Sequence, residues 1–303
     1  STLKIKQLSR NSLTAFFVLG NMLETTNSSL QKECIFKEQH RNSSFKIWWF
    51  QLFAVSLCHI KKGERIMANN EYRKLPTGIQ SFYIIREEGY LYVDKTDMVW
   101  KLANKGLKYN YLSRPRRFGK SVLVDTLQCY FEGRKELFEG LKIMDLEKDW
   151  KAYPVIRLDM SRGGANAETL RSYLNLRFGY YEEKYVITPD PTAQLADRFD
   201  AIITTAYKQT GLKVAILIDE YDSPLQHSWK TPEHEACTEV YREVFAILKA
   251  DDEYERLVFI TGITKFTQIS LFSVLNNLTN ISFLPEYAAI CGITEEEIKE
   301  NFK

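Results

Sequence analysis

Val214 to Glu220 reads Val-Ala-Ile-Leu-Ile-Asp-Glu, five uninterrupted apolar residues followed by two carboxylates. A run with no polar alternation has no face to give to water. It predicts a strand buried on both sides, inside a mostly parallel sheet with helices above and below. Acids at the carboxyl end of such a strand fall where open α/β sheets bind ligands.

About a hundred residues earlier, 111–121 reads Tyr-Leu-Ser-Arg-Pro-Arg-Arg-Phe-Gly-Lys-Ser, an apolar stub running into Gly119-Lys120-Ser121 and a helical pattern. This resembles a phosphate-binding loop, and the pair in this order argues for a nucleoside triphosphatase using ATP and Mg2+. A magnesium triphosphate needs backbone N–H donors, a cation on the outer phosphates, a hydroxyl on the metal and a nearby carboxylate. Gly119 lets the backbone approach the phosphate. Lys120 reaches the β and γ phosphates, Ser121 and Asp219 hold magnesium, and Glu220 polarises the attacking water. Arg116, Arg117, Phe118 and Val122 complete the nucleotide-binding candidates. A helix starting at Ser121, with Val122, Leu123, Leu127, Tyr130 and Phe131 on its apolar face, aims its N-terminal dipole at the anion. The loop departs from the usual consensus, because Arg114 stands where a glycine is expected five residues before Gly119. Gly-Lys-Ser arising by chance in a basic turn is the alternative, weakened by the flanking strand and helix and the distant acid pair.

Several blocks carry a family resemblance. Leu75-Pro-Thr-Gly-Ile-Gln80, Arg86 to Thr96, Ser113 to Ser121, Phe131-Glu-Gly133, Leu137 to Gly140, Val155 to Asp159, Leu217 to Asp222 and Gly262-Ile-Thr-Lys-Phe266 occur in order. Over about residues 70–303 the chain resembles the AAA-ATPase-like family of bacterial proteins. The resemblance implies a P-loop ATPase core in which Arg-Pro-Arg-Arg-Phe-Gly-Lys-Ser is the usual loop. It also implies a C-terminal region like PD-(D/E)XK nucleases, and nucleic acid as a partner through that region. The chain stops at Lys303, just after Thr294 opens a helix start as N-cap. This places the P-loop domain at 67–290 and the start of a truncated region at 291–303.

Periodicity supports alternating strands and helices. Strands are expected at 108–113, 155–159, 214–219 and 257–261. Helices are expected at 96–105, 121–132, 168–182, 193–210 with Gly211 as C′ residue, and 232–249. The class is α/β, a doubly wound P-loop NTPase sheet with helices on both faces. Tyr180, Tyr181, Glu182 and Glu183 read as a solvated helix face. Thr264 and Lys265 follow the strand expected beside Asp219 and are candidate sensors of the γ-phosphate; the plainer reading is a turn needing Gly262 for positive φ. Asp159 could orient water or magnesium, or cap with Ser161. Tyr92 to Thr96 could pack adenine, or be a join capped by Asp94. Arg116 and Arg117 could meet phosphate, act in trans in an oligomer, or bind acidic partners.

The net charge of +2 is uneven. Residues 1–66 carry ten Lys/Arg against four Glu and no Asp, leaving −4 for 67–303, so the core has no global basic footprint for nucleic acid. Five scattered cysteines without CxxC spacing fit a reducing cytoplasm with neither disulfides nor zinc. The apolar run at 45–57 falls short of the ~20 residues a membrane span needs. No Asn-Lys-x-Asp guanine motif occurs, which favours ATP over GTP. A non-hydrolysing nucleotide switch and the ATPase part of a nucleic-acid-processing protein are the rival readings.

Met67 stands just before the resembling region, so residues 1–66 read as a leader upstream of the true start, with an interfacial anchor around Trp48 and Trp49 as the rival. N-terminal mass spectrometry of the native protein should find no peptide from before Met67; any such peptide excludes that start.

Overall fold

The computed structural model describes residues 66–68, 71–190, 192–263 and 278–302, and the structural statements below concern these. The leader up to residue 65, Thr264 and Lys265 lie outside the described residues.

A short antiparallel hairpin, β1 (Ile66–Ala68) and β2 (Glu71–Arg73), precedes the main body. That body is built on a five-stranded, all-parallel sheet. Its strands are β3 (Tyr109–Ser113), β4 (Val155–Asp159), β5 (Val214–Asp219), β6 (Glu255–Gly262) and β7 (Thr279–Asn280), in the order β4-β5-β6-β3-β7. Every residue of β5 is buried, as its unbroken apolar run requires.

Successive residues of each strand enter opposite cores. Ile216, Ile218, Val258 and Ile260 pack on one face with α5 (Ala167–Lys184), α6 (Leu195–Thr210) and α8 (Glu233–Ala250). Ala215, Leu217, Leu257 and Phe259 pack on the other with α1 (Phe82–Glu87), α2 (Thr96–Asn104) and α3 (Lys120–Phe131). The fold is thus the expected doubly wound α/β sheet. Each fully buried aliphatic or aromatic side chain contributes about 1.5–3 kcal/mol, so the two cores supply the main driving force.

Local chemistry sets the element ends. Asn166 caps α5 through the Thr169 N–H at 2.8 Å, and Gly211 closes α6 at φ +67°. Thr294 and Glu297 form a capping box at α9 (Glu295–Asn301). Asp94 accepts from the Thr96 N–H at 2.9 Å and from the Lys142 N–H at 2.8 Å, which joins α2 to α4 (Ile143–Leu146). The solvated-face reading of α5 holds for Tyr180 and fails for Tyr181 and Glu182. Those two are buried, Tyr181 Oη accepting from the Arg157 N–H at 2.6 Å and Glu182 pairing with Arg198 at 2.7 Å. The partner cation lies on α6, beyond the reach of a single-helix pattern.

At the amino end of the strands, Glu255 is fully buried and Asp251 nearly so. Tyr109 Oη lies 2.6 Å from Glu255 Oε2, 2.8 Å from Leu248 O and 2.9 Å from Asp252 Oδ1. One phenolic proton can serve only one of these three acceptors at a time, and Glu255 Oε1 takes no hydrogen bond from the described residues, so the buried carboxylate is short of donors. Burial pushes the Glu255 carboxyl up to about 8, with the Tyr109 bond and Lys108 opposing and Asp251 and Asp252 reinforcing. Burial, then Asp200, pushes Asp251 up to about 7. Between the unfolded value of 4.5 and about 8 the native state holds a proton on Glu255 that the unfolded chain has released, so stability falls as pH rises through that window. Glu255→Gln removes this ionisation. Thermal melts across a pH series should find it matching the parent near pH 5 and outlasting it by several degrees near pH 9.

Candidate functional site

After β3 the chain turns through residues 114–119 and enters α3 at Lys120, one residue earlier than the sequence suggested. Gly119 sits at φ +86° as the N-cap, with no side-chain cap on the first N–H groups. A Cβ there would meet nothing within 4 Å, so glycine is required for its left-handed backbone and open space remains in front of it. Arg117 is also left-handed, at φ +65°. A turned loop leading to an uncapped helix N-terminus concentrates N–H groups and positive potential, the physical basis of an anion cradle. Lys120 is buried, and its Nζ donates to Arg114 O at 3.0 Å and Pro115 O at 3.1 Å. Arg116 and Arg117 are exposed; Phe118, Ser121 and Val122 are half-buried.

Asp219 ends β5, buried, and pairs in register with Asp159 at the end of β4. Thr261 Oγ1, from the neighbouring β6, donates to Asp219 Oδ1. The Glu220 N–H lies 3.1 Å from that same Oδ1 and 3.2 Å from Thr261 Oγ1. Glu220 has φ +49°, a left-handed conformation that costs a non-glycine residue about 1–2 kcal/mol and has to be held by such bonds. The Tyr221 N–H adds a bond to Thr261 O at 2.9 Å. Asp222 is buried and accepts from the Ile263 N–H at 3.0 Å and from Gln226 Nε2 at 2.5 Å, beside the start of α7 (Ser223–His227).

Gly262 plays a different part from the one the sequence suggested. It belongs to β6 and its φ is not positive; a Cβ would fall 2.5 Å from the Tyr221 ring and 2.9 Å from Asp222 Oδ1. Close packing of the β5 turn on β6, not a turn conformation, demands glycine here. Asp159 takes the capping alternative, accepting from the Ser161 N–H at 3.2 Å and its hydroxyl at 2.6 Å, while still adding to the negative field at Glu220.

The loop and the acids lie within electrostatic reach of each other. Burial lowers the Lys120 ammonium from its ordinary value, opposed by Glu220 and then Asp219. Burial raises the Glu220 carboxyl, reinforced by Asp219 and Asp159 and opposed by Lys120 and Arg116. Lys120, Asp219, Glu220 and Arg116 therefore share one end of the sheet, although 99 residues separate Lys120 from Asp219.

A segment after β7 fastens to this loop. The Arg114 guanidinium donates to Ser282 O at 3.0 Å, Tyr287 O at 3.3 Å and Ala288 O at 3.4 Å, and the Gly292 N–H donates to Phe118 O at 3.0 Å. Lys95, buried, reaches both Glu297 oxygens at 2.5 Å. Burial pushes the enclosed Cys291 thiol up to about 12 despite Arg114, Lys120 and Lys95 around it. Sequence reasoning missed Thr261 and the Lys95–Glu297 pair. Thr261 closes a recognised apolar run, but only the order of the strands puts it beside Asp219.

The model of the family described as Predicted AAA-ATPase matches residues 76–272. The chain is also 38% identical over 234 residues to an uncharacterized protein in the vnfD 5'region of Azotobacter chroococcum mcd 1, covering 76% of this chain and 45% of that relative. The chain thus spans about half the length of the curated relative it matches.

Because Arg114 serves three carbonyls of the later segment, restoring the consensus glycine should harm rather than improve the protein. Arg114→Gly is expected to lower the stability of the P-loop core by about 1–3 kcal/mol, read by denaturant titration; a more stable variant would contradict that assignment.

Proposed function

The chain belongs to the AAA-ATPase-like family, and on that premise we propose that residues 114–122 bind ATP with Mg2+ and that the protein hydrolyses it slowly. The observation that carries this reading is Lys120 at an uncapped helix N-terminus, within the field of Asp219 and Glu220. The residues fit the ligand: an open space faces the left-handed Gly119, and two arginines stand exposed on the loop. Lys120 would exchange the carbonyls of Arg114 and Pro115 for phosphate oxygens. Ser121 and Asp219 would hold magnesium, which when bound offsets phosphate charge. Arg116, Arg117, Phe118 and Val122 would line the phosphates.

Glu220 would hold the attacking water. Its upward-shifted carboxyl is a better proton acceptor than an ordinary glutamate, and it serves only while ionised.

The bonds from Arg114 and Phe118 to residues 282–292 support a second element, the coupling of nucleotide state to the C-terminal side of the chain. Thr264 and Lys265 remain candidate sensors by their position after β6. A nucleotide switch that does not turn over is the rival that the same contacts favour.

Lys120→Ala should abolish ATP binding in titration calorimetry; unchanged affinity would contradict the loop assignment. Glu220→Gln should keep ATP affinity and lower phosphate release by about 100-fold or more. A parent that binds ATP without any turnover sensitive to this change would be a switch and not a hydrolase.

A further inference from the structure

We propose that Thr261 is a positioning residue that aims Asp219 at the metal and sets the backbone from which Glu220 projects. The inference rests on the nucleotide-binding reading above and specifies how the acid end of that site is held. It starts from the chemistry of one hydroxyl. Thr261 is fully buried at the carboxyl end of β6, where Ile260 pairs with Ile218. Its single O–H proton goes to Asp219 Oδ1, and its oxygen accepts the Glu220 N–H at 3.2 Å. One side chain thus touches both carboxylate-bearing residues, donating to one and accepting from the other through a single hydroxyl oxygen.

The consequence for Asp219 is asymmetry. Oδ1 receives the Thr261 hydroxyl and lies 3.1 Å from the Glu220 N–H, while Oδ2 takes no hydrogen bond from the described residues. The carboxylate cannot rotate freely, and Oδ2 is the oxygen left for a cation. Outer hydrogen bonds of this kind fix the orientation of metal-binding carboxylates. For Glu220 the consequence is conformational. Its left-handed backbone is pinned by the same hydroxyl, and the Thr261 carbonyl takes the next N–H, from Tyr221, at 2.9 Å. Gly262 lets the Tyr221 ring close over this junction. Valine has the same shape without the hydroxyl, whereas serine keeps the hydroxyl and loses only a methyl group.

The test compares the full chain with Thr261→Val and Thr261→Ser, measuring ATP affinity with Mg2+ and with EDTA, and turnover as kcat and KM. The valine variant should bind ATP in EDTA like the parent, need about 10- to 100-fold more Mg2+, and lose kcat by a similar factor with little change in KM. Serine should restore both. Unchanged Mg2+ dependence in the valine variant, or a serine variant as impaired as valine, would overturn the proposal. If valine prevents folding, the serine variant decides alone: parent-like Mg2+ dependence supports the role, and loss of it with an intact fold overturns it. A parent that binds no ATP sinks the nucleotide reading and this proposal with it. A parent whose ATP binding ignores Mg2+ sinks the assignment of Thr261 together with the metal-holding roles of Ser121 and Asp219, and leaves nucleotide binding itself standing.

Discussion

The carboxyl end of β6 holds the candidate site from both sides. Towards β5, Thr261 engages Asp219, Glu220 and Tyr221 through its hydroxyl and carbonyl. Towards β3, Gly262 O accepts the Arg114 N–H at 3.2 Å and Ile263 O accepts the Ser113 hydroxyl at 2.9 Å. The loop and the acids are therefore attached to one strand lying between their own. Neighbouring strands run about 4.8 Å apart, so β3 and β5 are separated by about 10 Å. That gap suits a metal-bound polyphosphate placed between an amine on one side and a carboxylate on the other. Adjacent strands would press the two groups together as a plain ion pair.

Opposite charges act on one another at this end. Lys120 is enclosed with two carboxylates nearby, and its donors rest on carbonyls of its own loop. Those carbonyls are weaker partners than anionic oxygens, so a phosphate can take their place without leaving a buried charge unpaired. The movement would be felt beyond the loop, because Arg114, Phe118 and Ser113 are all bonded to residues 282–292. Lys95 and Glu297 extend this fastening to α2 and α9, giving the site a mechanical connection to the C-terminal side of the described chain.

Local signals carried much of this organisation. The apolar run of β5 fixed its own burial, and Gly-Lys-Ser after a short strand located the loop, because both depend on consecutive residues. Gly211 and Thr294 were legible as helix ends for the same reason. The short α1 was not legible, although Ser81 caps it locally through the Ile84 N–H: its six residues are too few to show a helical period, and Asp125 on α3, which accepts the Phe82 N–H at 2.7 Å, lies 43 residues away. Tyr181 and Glu182 were misread because their partners lie on β4 and α6. Arg114 looked like a departure from consensus; its contacts with Ser282, Tyr287 and Ala288 give it work that no pattern within the loop could disclose.

The two ends of the sheet show how burial alone separates a structural acid from a candidate site. Glu255 at the amino end and Glu220 at the carboxyl end are both pushed upward chiefly by desolvation. Glu255 is closed in by Tyr109, and a proton is its cheapest neutraliser. Its neutral form removes the buried charge, and no cation need enter. Glu220 instead faces Lys120 and Arg116, one on a helix N-terminus and one exposed on a turn. A proton once bound only adjusts stability with pH. A lysine resting on loop carbonyls can change partners, and the acids opposite it then need a new counter-charge. A metal cation brought in with a polyphosphate meets both requirements at once, which is why the carboxyl end can act as a site while the amino end acts as core.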